Sequence, residues 1–171
     1  TACVANGRAP SISVVNLETN AVRTVATMGS VINGLALHPS NSRLFISAEG
    51  TSSPYYHSVL NIQNFTYSYF NLTANARAIC LTPGGTRLFI GDAQHSLIYW
   101  VNAQTYTYER VYFTSDVGST AITTNPQGTA AYSIGVNTQR FNTVNTTRTH
   151  SIPNNGIASA LAHSPLYATL E

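Results

Sequence analysis

The sequence contains no lysine, and only 8% of its 171 residues are charged, against roughly 25% in an ordinary globular protein. Its eight basic residues are all arginines, at positions 8, 23, 43, 77, 87, 110, 140 and 148, and they are scattered singly. A net charge of +2 spread this thinly makes no surface that could track phosphates, which excludes nucleic-acid partners from the expected functions. No apolar run approaches the roughly 20 residues that span a bilayer, so no membrane insertion is expected. Two cysteines permit at most one disulfide, and neither CxxC nor Cys/His spacing offers a metal site. GxSxG, Walker and Rossmann patterns are absent as well, and Gly84-Gly85 reads as a turn pair. No cofactor is expected. The missing initiator methionine at Thr1 reads as a processed mature chain or an excised fragment.

Thr, Asn, Ser and Tyr supply the polarity that charge does not. Such surfaces do not repel copies of themselves, and low net charge favours association. Three N-x-T acceptor patterns occur, at Asn64, Asn71 and Asn145, and with the low charge they point to glycosylation in an extracellular or cell-surface setting.

The chain also repeats itself. An apolar segment ending in proline recurs about every 43 residues, as Ile32–Pro39, Ala76–Pro83, Ser119–Pro126 and Ala158–Pro165. Five residues before each proline stands a small residue (Gly34, Ala78, Ala121, Ala160), followed by an aliphatic one (Leu35, Ile79, Ile122, Leu161). Six residues after the first three prolines comes an aromatic: Phe45, Phe89, Tyr132. Counting onward puts an asparagine column at Asn16, Asn61, Asn102 and Asn145, with Cys3 in the aromatic column. The repeats run approximately 2–39, 40–83, 84–126 and 127–165, within one domain of 1–171, and residues 166–171 begin another strand.

Each repeat divides into four short pieces rich in β-branched and aromatic residues. In the third, Ala76–Leu81, Arg87–Gly91, Leu97–Asn102 and Tyr108–Phe113 read as strands, with turns at Thr82–Thr86 and Asp92–His95. No stretch has helical period. The expected fold is therefore all-β, a β-propeller of about four four-stranded blades, either a closed small ring or an arc of a larger one. Small residues suit the crowded inner strand, and the second-strand aromatics Phe45, Phe89, Tyr132 and Tyr167 suit the space between blades. A four-blade ring closes if Ala158–His163 pairs with Ala2–Asn6, which leaves Leu166–Leu170 over.

The order apolar strand, proline, turn, RLFI, turn, SVVN, turn, strand resembles the YVTN family of β-propeller repeats. SISVVNLETNAVRTVAT and LALHPSNSRLFIS carry the resemblance most closely. It covers nearly the whole chain and implies a propeller of the surface-layer or extracellular type. The asparagine column departs from the family's usual aspartate, and the fourth repeat is shortened.

Tyrosine is the abundant aromatic, with ten copies. Several cluster, as Tyr55 with Tyr56, Tyr67 with Tyr69, and Tyr106 with Tyr108, the last two clusters in or near outermost strands, where amphipathic rings suit protein or carbohydrate contact. The expected function is a non-catalytic structural, adhesive or self-assembling surface module whose partners are copies of itself, surface proteins or glycans. One alternative is a lactonase-type hydrolase with a divalent metal at the channel mouth, drawing on Glu49, His57, Asp92, His95, Arg77 and Asn75. There Glu49 and Asp92 are read as ordinary exposed turn carboxylates, and His38 and His163 as strand-end residues bonded to carbonyls. A carbohydrate-binding propeller is the other alternative.

Overall fold

Runs of β-branched and aromatic residues, punctuated by Pro, Gly and Asn, fold into fifteen strands in the computed structural model. The model describes residues 1–6, 9–26, 31–49, 56–72, 75–92, 94–112, 121–145 and 147–153. Among these there is no helix. The chain forms two compact units, residues 1–76 and 77–171. The first begins with a three-stranded antiparallel meander of β1 (Ala2–Ala5), β2 (Ser11–Val15) and β3 (Val22–Ala26). A four-stranded meander follows, with β4 (Val31–Leu37), β5 (Arg43–Glu49), β6 (Tyr56–Asn61) and β7 (Tyr67–Asn71) in that order. The next sheet orders β8 (Ala76–Leu81), β9 (Arg87–Asp92), β10 (Leu97–Asn102) and β11 (Tyr108–Tyr112). The last contains β12 (Ala121–Thr124), β13 (Ala130–Ile134), β14 (Asn137–Asn142) and β15 (Arg148–Pro153).

Within each unit, one sheet lays an apolar face on the next. In the first, Ile12 and Val14 of β2 pack on Leu44, Ile46 and Leu60 of the following sheet, with Cys3 and Leu35 at the margin. In the second, Phe89 and Ile98 pack on Ile122, Ala131 and Phe141, and small Ala78 lets the inner strand approach. Phe89 meets Phe141 edge-on, with 5.5 Å between ring centroids. Phe45 and Phe89 are fully buried, as their column requires, whereas Tyr132 is only half-buried. The large side chain in its sheet is Phe141, opposite Ala131 on the neighbouring strand. Tyr167, Ala158–His163 and Leu166–Leu170 lie outside the described residues.

The proline turn is built the same way three times. Asn41, Gly85 and Gly128 take φ of +54°, +68° and +68°, and each donates its N–H to the carbonyl of the residue before proline. Proline presets the first turn position, and the third needs left-handed backbone. At Gly128 a Cβ would also come within 3.3 Å of Pro83 Cδ, so the two neighbouring turns pack on the absence of a side chain.

The hairpins into the outer strands share a second device. Asn16, Asn61, Asn102 and Asn142 each accept two backbone N–H bonds through Oδ1, from the residues two and three further on, at 2.7–3.3 Å. The fourth member is therefore Asn142, and the count that placed Asn145 in this column is corrected. Asn142 pairs with Ala130 as Asn102 pairs with Arg87, because the hairpin from Ala130 to Asn142 is three residues shorter than that from Arg87 to Asn102. In three of these turns the fourth residue on is left-handed, with φ +56° at Asn20, +62° at Phe65 and +60° at Tyr106. For a bulky residue that costs about 1–2 kcal/mol. At Phe65 a cation–π contact with Arg23, at 3.8 Å, offsets part of the cost.

Asn102→Ala removes both cap bonds and is expected to cost about 1 kcal/mol, read as a lower urea midpoint at unchanged slope. Asn102→Asp keeps the acceptor and is expected to hold stability within about 0.5 kcal/mol. Equal losses in the two variants would show that the cap does not carry the turn.

Candidate functional site

Of the polar residues considered for a catalytic mouth, Asp92, His57 and Asn75 are buried, while Arg77 and His95 are exposed. Asp92 is fully buried, which corrects the expectation of an exposed carboxylate. Its Oδ1 accepts the N–H groups of Gln94 and His95 at 2.8 and 3.0 Å, and its Oδ2 lies 3.1 Å from His95 Nδ1. It is a turn cap. Asn6 stands at the equivalent place in the β1–β2 connection, with its amide on Ser11 and Ser13. His95 itself is exposed. His57 lies inside β6, fully buried, with its ring stacked on Phe70 at 5.6 Å. It is a core residue, and it belongs to the first unit while His95 belongs to the second.

Glu49 closes β5 opposite Val31, Arg77 is exposed, and Asn75 is buried. His38 closes its turn by a different bond from the one expected: Nδ1 accepts the Ser40 N–H at 3.2 Å and lies 2.7 Å from Ser40 Oγ. No carbonyl is involved in these bonds. His163 lies outside the described residues. Among the described residues no three His, Cys, Asp or Glu side chains gather as a metal site.

The tyrosines divide. Tyr69 and Tyr108, on outer strands β7 and β11, are exposed at 47% and 43%. Tyr67 stacks on Tyr69 at 6.1 Å but leans on the core of its unit, and its hydroxyl is enclosed without a hydrogen-bond partner. Burial, and then Tyr69 beside it, push its phenol above the usual range. Tyr106 is half-buried at the left-handed turn position. Tyr56 opens β6, and Tyr55 lies outside the described residues. Of the sequons, Asn64 and Asn145 are exposed on turns, while Asn71 ends β7.

One feature escapes any count of columns. A groove of about 630 Å³ is lined by Arg87, Trp100, Asn102, Gln104, Thr107 and Tyr108, with Thr86 at its side. The Arg87 guanidinium lies over the Trp100 ring at 4.3 Å and donates to the Thr143 carbonyl of the next sheet. The single tryptophan was the only signal for it in the sequence.

These consecutive antiparallel meanders make the chain a β-propeller-like all-β protein. No family profile and no curated protein matches the sequence. Among solved structures it is similar to Hydrazine Synthase of Kuenenia stuttgartiensis, with a TM-score of 0.78 and 16% identity. The match covers 89% of this chain and 45% of that one, so this chain spans less than half of its neighbour's length. That likeness shows the fold alone. With 817 similar solved chains, the layout is too widely shared to indicate a function.

The two thiols are free. Cys80 is partly exposed as a residue, but its thiol is set against the Phe89 cluster, and burial pushes its pKa up to about 12. Cys3 is raised too, by burial, with the nearby amino terminus opposing. A thiol kept neutral in the folded chain ionises more readily once unfolded. Its contribution to stability is thus intact below the ordinary value of 9.0 and is lost as pH climbs from there toward 12. Native Cys80 is expected to resist iodoacetamide at mildly alkaline pH and to react on unfolding. Labelling of the folded chain at the rate of an unfolded control would contradict its burial.

Proposed function

We propose that this chain is a non-catalytic, extracellular surface module of the YVTN β-propeller type, whose four sheets serve as consecutive blades. It works by contact, and its first partner is a second copy of itself. In the three-stranded sheet β1 holds the place of β5, β9 and β13, and among the described residues no inner strand lies beside it. The repeat at Ala158–His163 would supply it and close the ring.

The observation that carries the contact reading is the outer edge at β7. Strands β3, β11 and β15 each include an arginine, and β15 ends in proline. Strand β7, Tyr-Ser-Tyr-Phe-Asn, has neither charge nor proline, and among the described residues its ladder partner is β6. Natural proteins guard sheet edges with such residues, because an unguarded edge offers free N–H and C=O groups to another strand. An antiparallel pairing of two β7 edges about Tyr69 sets the two exposed rings side by side and is self-complementary, as a two-fold contact must be. The low net charge leaves little repulsion to oppose it.

A carbohydrate ligand is the second reading, favoured by the groove at Trp100. Arg87 covers one face of the indole and Phe89 stacks against it at 6.3 Å. A sugar there would be held by the amides of Asn102 and Gln104 and by the exposed ring of Tyr108.

Tyr69→Lys puts a like charge on each side of the two-fold and is expected to turn a concentration-dependent dimer into a monomer in sedimentation equilibrium. Tyr108→Lys, on a strand that already carries charge, is expected to leave association unchanged. Both variants are measured in chain free of N-glycan, where a Tyr69→Lys chain that associates like its parent, or a parent that stays monomeric throughout, would overturn the reading.

A further inference from the structure

Four hairpins lead into the outer strands, and the residue three beyond each capping asparagine has a repeated job. It is Thr19, Asn64, Thr105 and Asn145 in turn. Thr19 Oγ1 accepts the Ala21 N–H at 3.4 Å, and Thr105 Oγ1 lies 2.9 Å from Thr107 Oγ1. In the other two hairpins an asparagine has taken over. Asn64 Oδ1 accepts Thr66 N–H at 3.1 Å and Thr66 Oγ1–H at 2.7 Å. Asn145 Oδ1 accepts the same two donors of Thr147, at 3.2 and 2.7 Å. Both asparagines and both threonines are exposed. Two of the three N-x-T patterns are thus one structural element used twice. These turn bonds are made by Oδ1, so a substituent on Nδ2 leaves them in place. Asn71 is different in kind: it is the last residue of β7, paired with Tyr56 and followed by fully buried Leu72.

We propose that Asn64 and Asn145 are N-glycan acceptors, and that the Asn64 glycan guards the β7 edge and so governs its self-pairing. The donor is an oligosaccharide carried on a lipid pyrophosphate. The Asn amide nitrogen bonds to sugar C1 as the C1–O bond to pyrophosphate breaks. One amide proton is released and the lipid pyrophosphate leaves. The second half of the proposal rests on the contact reading above. Asn64 stands three residues before Tyr67, the first residue of the edge strand that lacks charge and proline. A bulky, solvated substituent at that end of a five-residue strand, about 17 Å long, obstructs a second strand laid along it. Asn145 precedes β15, which already carries Arg148 and Pro153, so its glycan has no edge left to guard.

The test uses the full chain secreted from a glycosylating eukaryotic host, alone and as Asn64→Gln, Thr66→Ala and Asn145→Gln. Thr66→Ala abolishes the sequon while keeping Asn64 itself. Intact mass before and after peptide N-glycosidase reports occupancy, and sedimentation velocity reports association. Two glycans are expected on the parent and one on each variant. The parent and Asn145→Gln are expected to be monomeric, while Asn64→Gln and Thr66→Ala dimerise and return to monomer when Tyr69→Lys is added. Absence of sugar at Asn64 or at Asn145 would overturn the acceptor assignment at that site. A chain carrying sugar at Asn64 that dimerises as readily as Thr66→Ala would overturn the guarding role, yet leave the β7 contact standing if Tyr69→Lys still abolishes it. If neither form associates, the contact reading falls, and the guarding role falls with it.

Discussion

The hairpin caps bear the weight of this structure. Each outer strand is turned back by a neutral amide oxygen that takes two backbone N–H groups, at Asn16, Asn61, Asn102 and Asn142. A backbone N–H is taken in the same way by the Asn125 amide oxygen and by the Thr82 hydroxyl, while Asn6 ties its turn through its amide to the Ser11 and Ser13 hydroxyls. These turns are closed without charge, and the β9–β10 turn, capped by the Asp92 carboxylate, is the exception. The apolar faces can then stack sheet on sheet, because register is fixed at the hairpins, and a one-residue slip would turn Phe89 or Leu44 out of the core.

The same chemistry leaves the edges exposed to their own kind. A chain of ordinary composition would scatter lysines along its outer strands. Here β3 and β15 each carry a single arginine, β11 has Glu109 and Arg110 in its sequence, and β7 has no charged residue at all. The carboxylate that looked most available for chemistry, Asp92, is sealed into a turn. Among the described residues the exposed surface mixes amides, hydroxyls and phenols with scattered aliphatic side chains such as Leu17, Val22 and Ile152 and few charges, which suits contact between surfaces.

Much of the fold was legible because the repeat is a packing repeat. Strands β8 and β10 have the bounds read from the third phrase, Ala76–Leu81 and Leu97–Asn102. The misreading at Asn145 has a simple origin. Counting from the aromatic assumes a constant hairpin length, and FNTVN offers two asparagines three apart, so a shorter β13–β14 connection shifts the role to Asn142. The site was far less legible. Burial of His57 and Asp92 depends on which sheet face each side chain takes, and that follows from register, not from residue type. The groove at Trp100 arises because Arg87 of β9 lies across the ladder from Asn102 and over the Trp100 ring of β10, a neighbourhood set by register and not by sequence proximity. The two equivalent sequons stood in the sequence as three unrelated motifs, until the turns aligned two of them and set Asn71 apart.

Hydrogen exchange resolved by residue, on chain free of N-glycan at low and high concentration, tests the central claim directly. If the contact forms through the unguarded edge, backbone amides within 67–71 gain protection on concentration, while those of 108–112 in β11 do not. Unchanged exchange across β7, or protection gained at β11 or β15 instead, would contradict the account.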